Sequence, residues 1–245
     1  MGNTEVEYFV KQMESNLNRA YQGTIVLTHF LDEQQQQQIK EMNRMDVNIT
    51  MEGGFKDCER KRTLFYPEGL KNLSYKIKVF QICYNSRYLN LHHRKVLGAL
   101  LSLGIKRESI GDIVFIEDKV YFACTEEISA YIVASFKTIG GVPIELMEEK
   151  DVLTAKKELR EETHIVSSMR LDVILASAYK LSRTDATTMI SDGDVQLNHK
   201  VCLNTSKIVS ESYIISVRHK GRVYVGAQGG KTKSGRLVIK LGFLV

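Results

Sequence analysis

Between residues 5 and 20, Val6, Phe9, Val10, Met13 and Leu17 recur at intervals of three and four, the spacing of one face of an amphipathic helix. A second helix is expected from Asp32, a capping side chain, to about Asn43, with Gln34 to Gln38 as a solvated face of good helix formers. Val47, Ile49 and Met51 then alternate before Gly53-Gly54, and Arg62 to Tyr66 follows, which predicts a hairpin attached to two helices. From Lys76 the pattern changes. KIKVFQICY is apolar on both faces, as in a covered central strand. Val96, Leu97, Leu100, Leu101 and Leu103 have helical spacing and stop at Gly104. Strands are expected at 112–116 and 119–124, a helix at about 126–136, and a last strand at 142–147. That order, β-α-β-β-α-β, is ferredoxin-like. The charged stretch KDVLTAKKELREE predicts a helical linker.

The remaining residues predict a third piece. Arg170 opens a short helix packed through Leu171, Ile174 and Leu175, and Ser182 caps another that buries Ala186, Met189 and Ile190. Gly193 suits the left-handed position that ends a helix. Val195–Leu197 and Val201–Leu203 flank a turn at Asn198-His199-Lys200, and two further strands are expected around a glycine-rich loop bearing Lys231, Lys233 and Arg236. The expected fold class is α+β in three small domains: 1–75, N-terminal helices with a β-hairpin; 76–149, ferredoxin-like; and 169–245, with 150–168 as the charged helical linker.

Of the 245 residues 43% are hydrophobic, enough for several small cores, and the formal charge is only +5. Its distribution changes the picture: residues 166–245 hold twelve basic and five acidic side chains, while the preceding residues are nearly balanced. Clustered cations of this kind fit a phosphate backbone, from which they release counterions. No window approaches 18 uninterrupted apolar residues, so membrane insertion is not expected. The opening MGNTEVEYFVKQ is acidic and amphipathic, unlike a secretory signal, and Val6 stands where a myristoylation motif after Gly2 wants Ser or Thr. Cys58, Cys83, Cys124 and Cys202 form no CxxC or CxH pair, so reduced thiols and no metal are expected.

Catalytic signatures are missing. Neither Gly53-Gly54 nor Gly140-Gly141 has the repeated glycines of a methyltransferase cofactor loop, and no P-loop or GxSxG phrase occurs. His92-His93, even with Cys83, makes a poor metal pair, because adjacent helical side chains point about 100° apart. Phe80, Tyr84, Tyr121 and Phe122 could stack bases on a ferredoxin-like sheet, but without an RNP1 phrase core packing is expected of them. The expected RNA face comprises Arg170, Lys180, Ser182, Arg183, Thr184, Asn198, His199, Lys200, Arg218, Lys220, Arg222, Lys231, Lys233 and Arg236, with His93, Arg94, Lys95, Lys106 and Arg107 as a secondary group. Arg183 falls in a first helical turn, where backbone N–H groups also attract phosphate. Replacing Arg170 or Arg183 by Ala is expected to weaken binding and leave the fold intact.

Arg170-Leu171-Asp172, Leu175, Leu181-Ser182-Arg183, Ala186, Ile190, Gly193, Val195 and Asn198 together resemble the S4 RNA-binding domain. The whole chain resembles the YlmH family of bacterial S4-domain proteins, through the phrase from His93 to Leu101 and its continuation to Ile113; Lys95 stands where that family tends to be acidic. The resemblance implies a multidomain, non-enzymatic RNA-binding protein linked to the ribosome; a cytoplasmic monomer without cofactor is expected beside it. Its partners would be ribosomal RNA and tRNA on a stalled large subunit with peptidyl-tRNA, with a cell-division protein as a further partner. Two other classes stand beside it. A pseudouridine synthase carries its catalytic Asp in a Gly-Arg-Leu-Asp phrase, but here Met169 precedes Arg170-Leu171-Asp172, and Asp172 is expected to be structural. A protein-interaction adaptor would use residues 1–75.

Overall fold

In the computed structural model, which describes residues 3–42, 46–155 and 159–244, the chain forms two compact units, Met1–Lys156 and Lys157–Val245. The pieces expected as separate domains at 1–75 and 76–149 therefore share one unit.

That unit opens with α1 (Asn3–Tyr21), whose Phe9, Met13, Leu17 and Ala20 pack on a three-stranded antiparallel sheet of β1 (Val26–Leu31), β2 (Val47–Glu52) and β3 (Lys61–Pro67), in the order β1-β3-β2. The expected hairpin is β2 and β3, and β1 adds a strand the sequence pattern did not predict: its Val26, Thr28, Phe30 and Leu31 are buried, and it pairs with the far side of β3. Between β1 and β2 lies α2 (Glu33–Lys40), started by a reciprocal capping box between Asp32 and Gln35.

The second half of the unit follows the expected order. β4 (Ile77–Tyr84), α3 (His93–Leu101), β5 (Ile110–Ile116), β6 (Lys119–Thr125), α4 (Glu126–Ser135), a short β7 (Thr138–Ile139) and β8 (Val142–Glu149) form a sheet ordered β5-β6-β4-β8-β7. The antiparallel 2-3-1-4 order of its four main strands is the ferredoxin-like arrangement. On one face Phe80, Ile82, Val120 and Phe122 pack with Val96, Leu100 and Ile132 of the two helices. The other face is where RNA-recognition modules of this fold stack bases. Here Val79, Val114, Tyr121 and Ala123 lie against Phe30, Phe55, Cys58 and Ala155, and Tyr121 is only 4% exposed. Contact is close enough that a Cβ on Gly111 would stand 2.7 Å from the Phe30 ring.

Two arginines, Arg62 buried and Arg60 half-buried, hold the two halves together. Arg62 of β3 donates to the Thr28 carbonyl at 2.7 Å, the Lys76 carbonyl at 2.7 Å and the Glu127 carboxylate of α4 at 3.1 and 3.2 Å. Arg60 donates to the carbonyls of Phe30 and Ile110, while Asp112 accepts from the backbone N–H groups of Glu59 and Arg60. Burial pushes the Asp112 carboxyl up, against the pull of those two N–H groups.

The second unit corrects the helical linker. Residues Leu159–Val166 are a strand, β9, paired residue for residue with Leu237–Leu244 of β14. Its charged residues suit a sheet edge as well as a helix: Glu161 meets Lys240 at 3.1 Å, and Arg160 meets Glu162 at 2.9 Å. His164 and Val166 point inward, with His164 Nδ1 2.9 Å from Ser177 Oγ. Next come α5 (Leu171–Tyr179), α6 (Arg183–Ser191), β10 (Val195–Leu197), β11 (Lys200–Val201), β12 (Ile214–Val217) and β13 (Gly221–Lys231), giving a six-stranded sheet ordered β11-β10-β12-β13-β14-β9. Most of the expected glycine-rich loop is strand: Gly226, Gly229 and Gly230 lie within β13, at register shifts against β14. The tight turn is Asn198-His199, both at positive φ, and Lys200 opens β11.

Candidate nucleic-acid interface

Leu171, Ile174 and Leu175 are fully buried and fix α5 on the sheet, and Ala186 and Ile190 do the same for α6. Ser182 caps α6 by accepting from the Asp185 N–H at 3.0 Å, and Gly193, at φ +80°, ends it. Lys180 lies between the helices in the left-handed conformation, its side chain in solvent.

This helix pair brings Arg170 and Arg183 onto one carboxylate. Arg170 donates to both oxygens of Asp172, at 3.1 and 2.9 Å, and Arg183 donates to Oδ2 at 2.8 Å. The aspartate side chain is 3% exposed, whereas those of the arginines are 40% and 56% exposed. The guanidinium groups thus cover the acid and present their outer edges to water. Burial pushes the Asp172 carboxyl up, but the two arginine hydrogen bonds outweigh it and hold it below the usual aspartate range. The cluster carries a net single positive charge on two fixed planar donors, a form suited to phosphate oxygens. Asp172 draws its pairing from both arginines, so a single substitution leaves it one partner. Both Asp172 oxygens are engaged by these two guanidinium groups, the structural role expected of it.

The other expected residues fall into separate groups. Tyr179 donates to the Gly221 carbonyl at 3.2 Å, which brings the turn Arg218 to Lys220 to the Lys180 end of α5; Arg218 also stands 3.6 Å from Asp194. Arg222 follows in β13. Asn198 is occupied structurally, its Oδ1 accepting from the Ile214 N–H at 2.8 Å, with His199 beside it in the turn. Thr184 lies exposed in the first turn of α6. Lys231, Lys233 and Arg236 sit at the tip of the β13–β14 hairpin.

One residue escaped sequence reasoning. The N–H groups of Leu171 and Asp172 donate to the carbonyls of Lys207 and Thr205, and Arg170 bridges Ile208, so exposed Lys207 runs alongside Arg170. A single lysine in the polar stretch NTSK gives no sequence signal for this.

In the first unit, His93, Arg94 and Lys95 occupy the first turn of α3, and Lys106 is exposed, 4.0 Å from Glu108. Arg107 is corrected to a structural residue: it donates to the carbonyls of Ile110 and Gly111, and burial, followed by repulsion from Arg60, pushes it down to about 10. Phe80 and Phe122 are packed in the core with ring centroids 5.7 Å apart, and Tyr84 lies partly buried against them. Among the described residues no helix is long and apolar enough to cross a membrane.

Residues 71–152 match the family described as "Putative RNA-binding domain in YlmH", and residues 169–215 match the S4 domain. The chain is 32% identical over 214 residues to the Ribosome-associated protein quality control protein P2 of Bacillus subtilis (strain 168), covering 84% of this chain and 82% of that one. The solved structure of Cell division protein ylmH from Streptococcus pneumoniae is similar over 60% of this chain and 88% of its own, at 24% identity and a TM-score of 0.47. On its identity to the Bacillus protein across most of both chains, this chain belongs to the YlmH family of S4-domain proteins.

Proposed function

We propose that this chain is a ribosome-associated RNA-binding protein that acts by holding folded RNA rather than by catalysing a reaction. The observation that carries the reading is the arginine pair on Asp172, fixed at the outer edge of an S4-type helix pair. Fixed planar cations favour phosphate contacts on a folded backbone. The name of the Bacillus relative supports a ribosomal partner and a role in quality control. The finer reading is a large subunit carrying peptidyl-tRNA, with Arg170, Arg183 and Lys207 on one RNA segment and Lys180, Arg218, Lys220 and Arg222 on another.

In the first unit the base-stacking face is filled by Phe30, Phe55 and Cys58, and so RNA contact there falls to the first turn of α3, at exposed His93 and Arg94 and half-buried Lys95, and to Lys106. Cosedimentation with purified large subunits tests the proposal: Arg183→Gln should weaken association about tenfold at near-physiological salt, and unchanged cosedimentation would refute it. Incubation of RNA with the protein, followed by nucleoside mass spectrometry, tests the enzymatic alternative, for which altered nucleotides would be decisive.

A further inference from the structure

The hairpin outside the S4 match carries an unusual charge pattern. Residues 212–245 contain seven Lys and Arg and no Asp or Glu. Of these cations, Lys240 pairs with Glu161 and Arg218 lies near Asp194. Lys231, Lys233 and Arg236 have no carboxylate partner among the described residues, and all three are exposed.

The loop that bears them is nevertheless built. Thr232 N–H donates to the Arg236 carbonyl at 2.8 Å, Gly235 N–H to the Thr232 carbonyl at 2.9 Å, and Arg236 N–H to Thr232 Oγ1 at 3.1 Å. Thr232 Oγ1 also lies 3.0 Å from Ser234 Oγ, and Gly235 takes φ +77°. Three like charges held in one short turn repel one another, and a bound polyanion would relieve that repulsion.

Strand register gives the tip an address. Leu237 pairs with Val166, so the hairpin tip adjoins the end of β9, and Arg170 follows Val166 by four residues, a span of at most roughly 14 Å. The tip therefore lies at the Arg170 end of α5, whereas β13 begins at Gly221, beside Tyr179 at the other end. Among the described residues the tip itself carries cations, Thr232, Ser234 and Gly235 and no aromatic ring, which suits contact with backbone charge there.

From this placement we infer that the β13–β14 tip is a second phosphate-binding site, in which Lys231, Lys233 and Arg236 grip the sugar-phosphate backbone of the same RNA that Arg170 and Arg183 hold. The inference rests on the RNA-binding reading above. Contact is with phosphates, so the tip adds affinity without sequence preference.

The test uses the full chain with purified large subunits and with a short RNA duplex, across a series of KCl concentrations. Neutralising the tip with Lys231→Gln, Lys233→Gln and Arg236→Gln should weaken binding roughly 10- to 100-fold at about 0.1 M salt. The log–log salt slope should fall by about 2 to 3, given roughly 0.9 per phosphate contact on a duplex. Exchanging the same residues as Lys231→Arg, Lys233→Arg and Arg236→Lys should preserve both quantities. If the neutral variant misfolds, Lys233→Gln alone, at the turn, should lower the slope by about 1. Wild-type affinity and slope in the neutral variant, alongside weakened binding by Arg183→Gln, would overturn the tip and leave the RNA reading standing. Failure of the wild-type chain to bind either RNA would overturn both. Loss of binding to vesicles containing phosphatidylserine, with RNA affinity unchanged, would assign the tip to a membrane surface instead.

Discussion

Removing the Arg62 guanidinium should loosen the layer that covers the ferredoxin-like sheet. The Arg62 side chain is 4% exposed and binds the carbonyls of Thr28 and Lys76, each at 2.7 Å, besides the Glu127 carboxylate. In Arg62→Met the aliphatic stem remains but both carbonyls lose their donor, at about 1–3 kcal/mol for a buried group and less for one partly wet. Glu127 is 53% exposed and rehydrates, so its lost ion pair adds about 0–1 kcal/mol. The expected destabilisation is about 2–4 kcal/mol. Equilibrium urea unfolding can follow it by the fluorescence of the 11 tyrosines, as the chain contains no tryptophan. Hydrogen exchange should show lost protection in β1 and β4, with α5 and α6 unchanged as an internal reference. A loss below about 1 kcal/mol, or equal loss of protection in both units, would refute the assignment of Arg62 as the tie between the two halves.

Four further outcomes are expected. Asp172→Asn should destabilise the second unit at neutral pH by about 1–2 kcal/mol. Because the native carboxyl titrates below its unfolded value, that difference should be complete above about pH 4 and shrink as the pH falls further; urea midpoints that differ equally at pH 7 and pH 3 would contradict it. Asp112 works in the opposite sense: burial raises its native value, so acidification toward pH 4 relieves a cost there. Gly111→Ala should destabilise the first unit by about 1–3 kcal/mol through collision with Phe30 and Ala123, read as a lowered melting temperature. Cys124, fully buried and pushed up by burial to about 12, should resist thiol alkylation at pH 8 in the native state while Cys83 and Cys202 react; rapid labelling of all four would show the core to be open.

Local periodicity carried much of the fold to the reader of the sequence. α1 and α3 were legible because their apolar residues repeat at helical spacing, and the Ser182 cap and Gly193 terminus because each does one local job. Strand β1 was hidden in a short apolar run between two helices, and its identity depends on Leu64 and Phe65 on the other side of a distant turn. The error at 159–166 has a similar origin: alternating charges satisfy a helix surface and a sheet edge equally, and only pairing with β14 decides between them. At the candidate interface the sequence supplied Arg170 and Arg183 but not their shared aspartate geometry, which arises from the crossing of α5 and α6. Lys207 was invisible because its place beside Arg170 depends on a bridge across 38 positions, between Arg170 and Ile208.

The pairing of β9 with β14 also governs when the second unit can form. Their facing ends, Val166 and Leu237, are separated by about 70 residues, and the strands between them in sequence all lie on the far side of β14 from β9. Closing a loop of that length makes β9 a late participant in folding, since long-range pairing follows the local contacts that prepay its entropy. At a synthesis rate of about 5–20 residues per second, β9 waits on the order of 4–14 s for its neighbour to be translated. During that interval the α5–α6 hairpin, whose contacts are local, can already assemble its arginine pair. The candidate RNA grip thus matures in two stages, helices first and the hairpin tip beside them only when the final strand has docked.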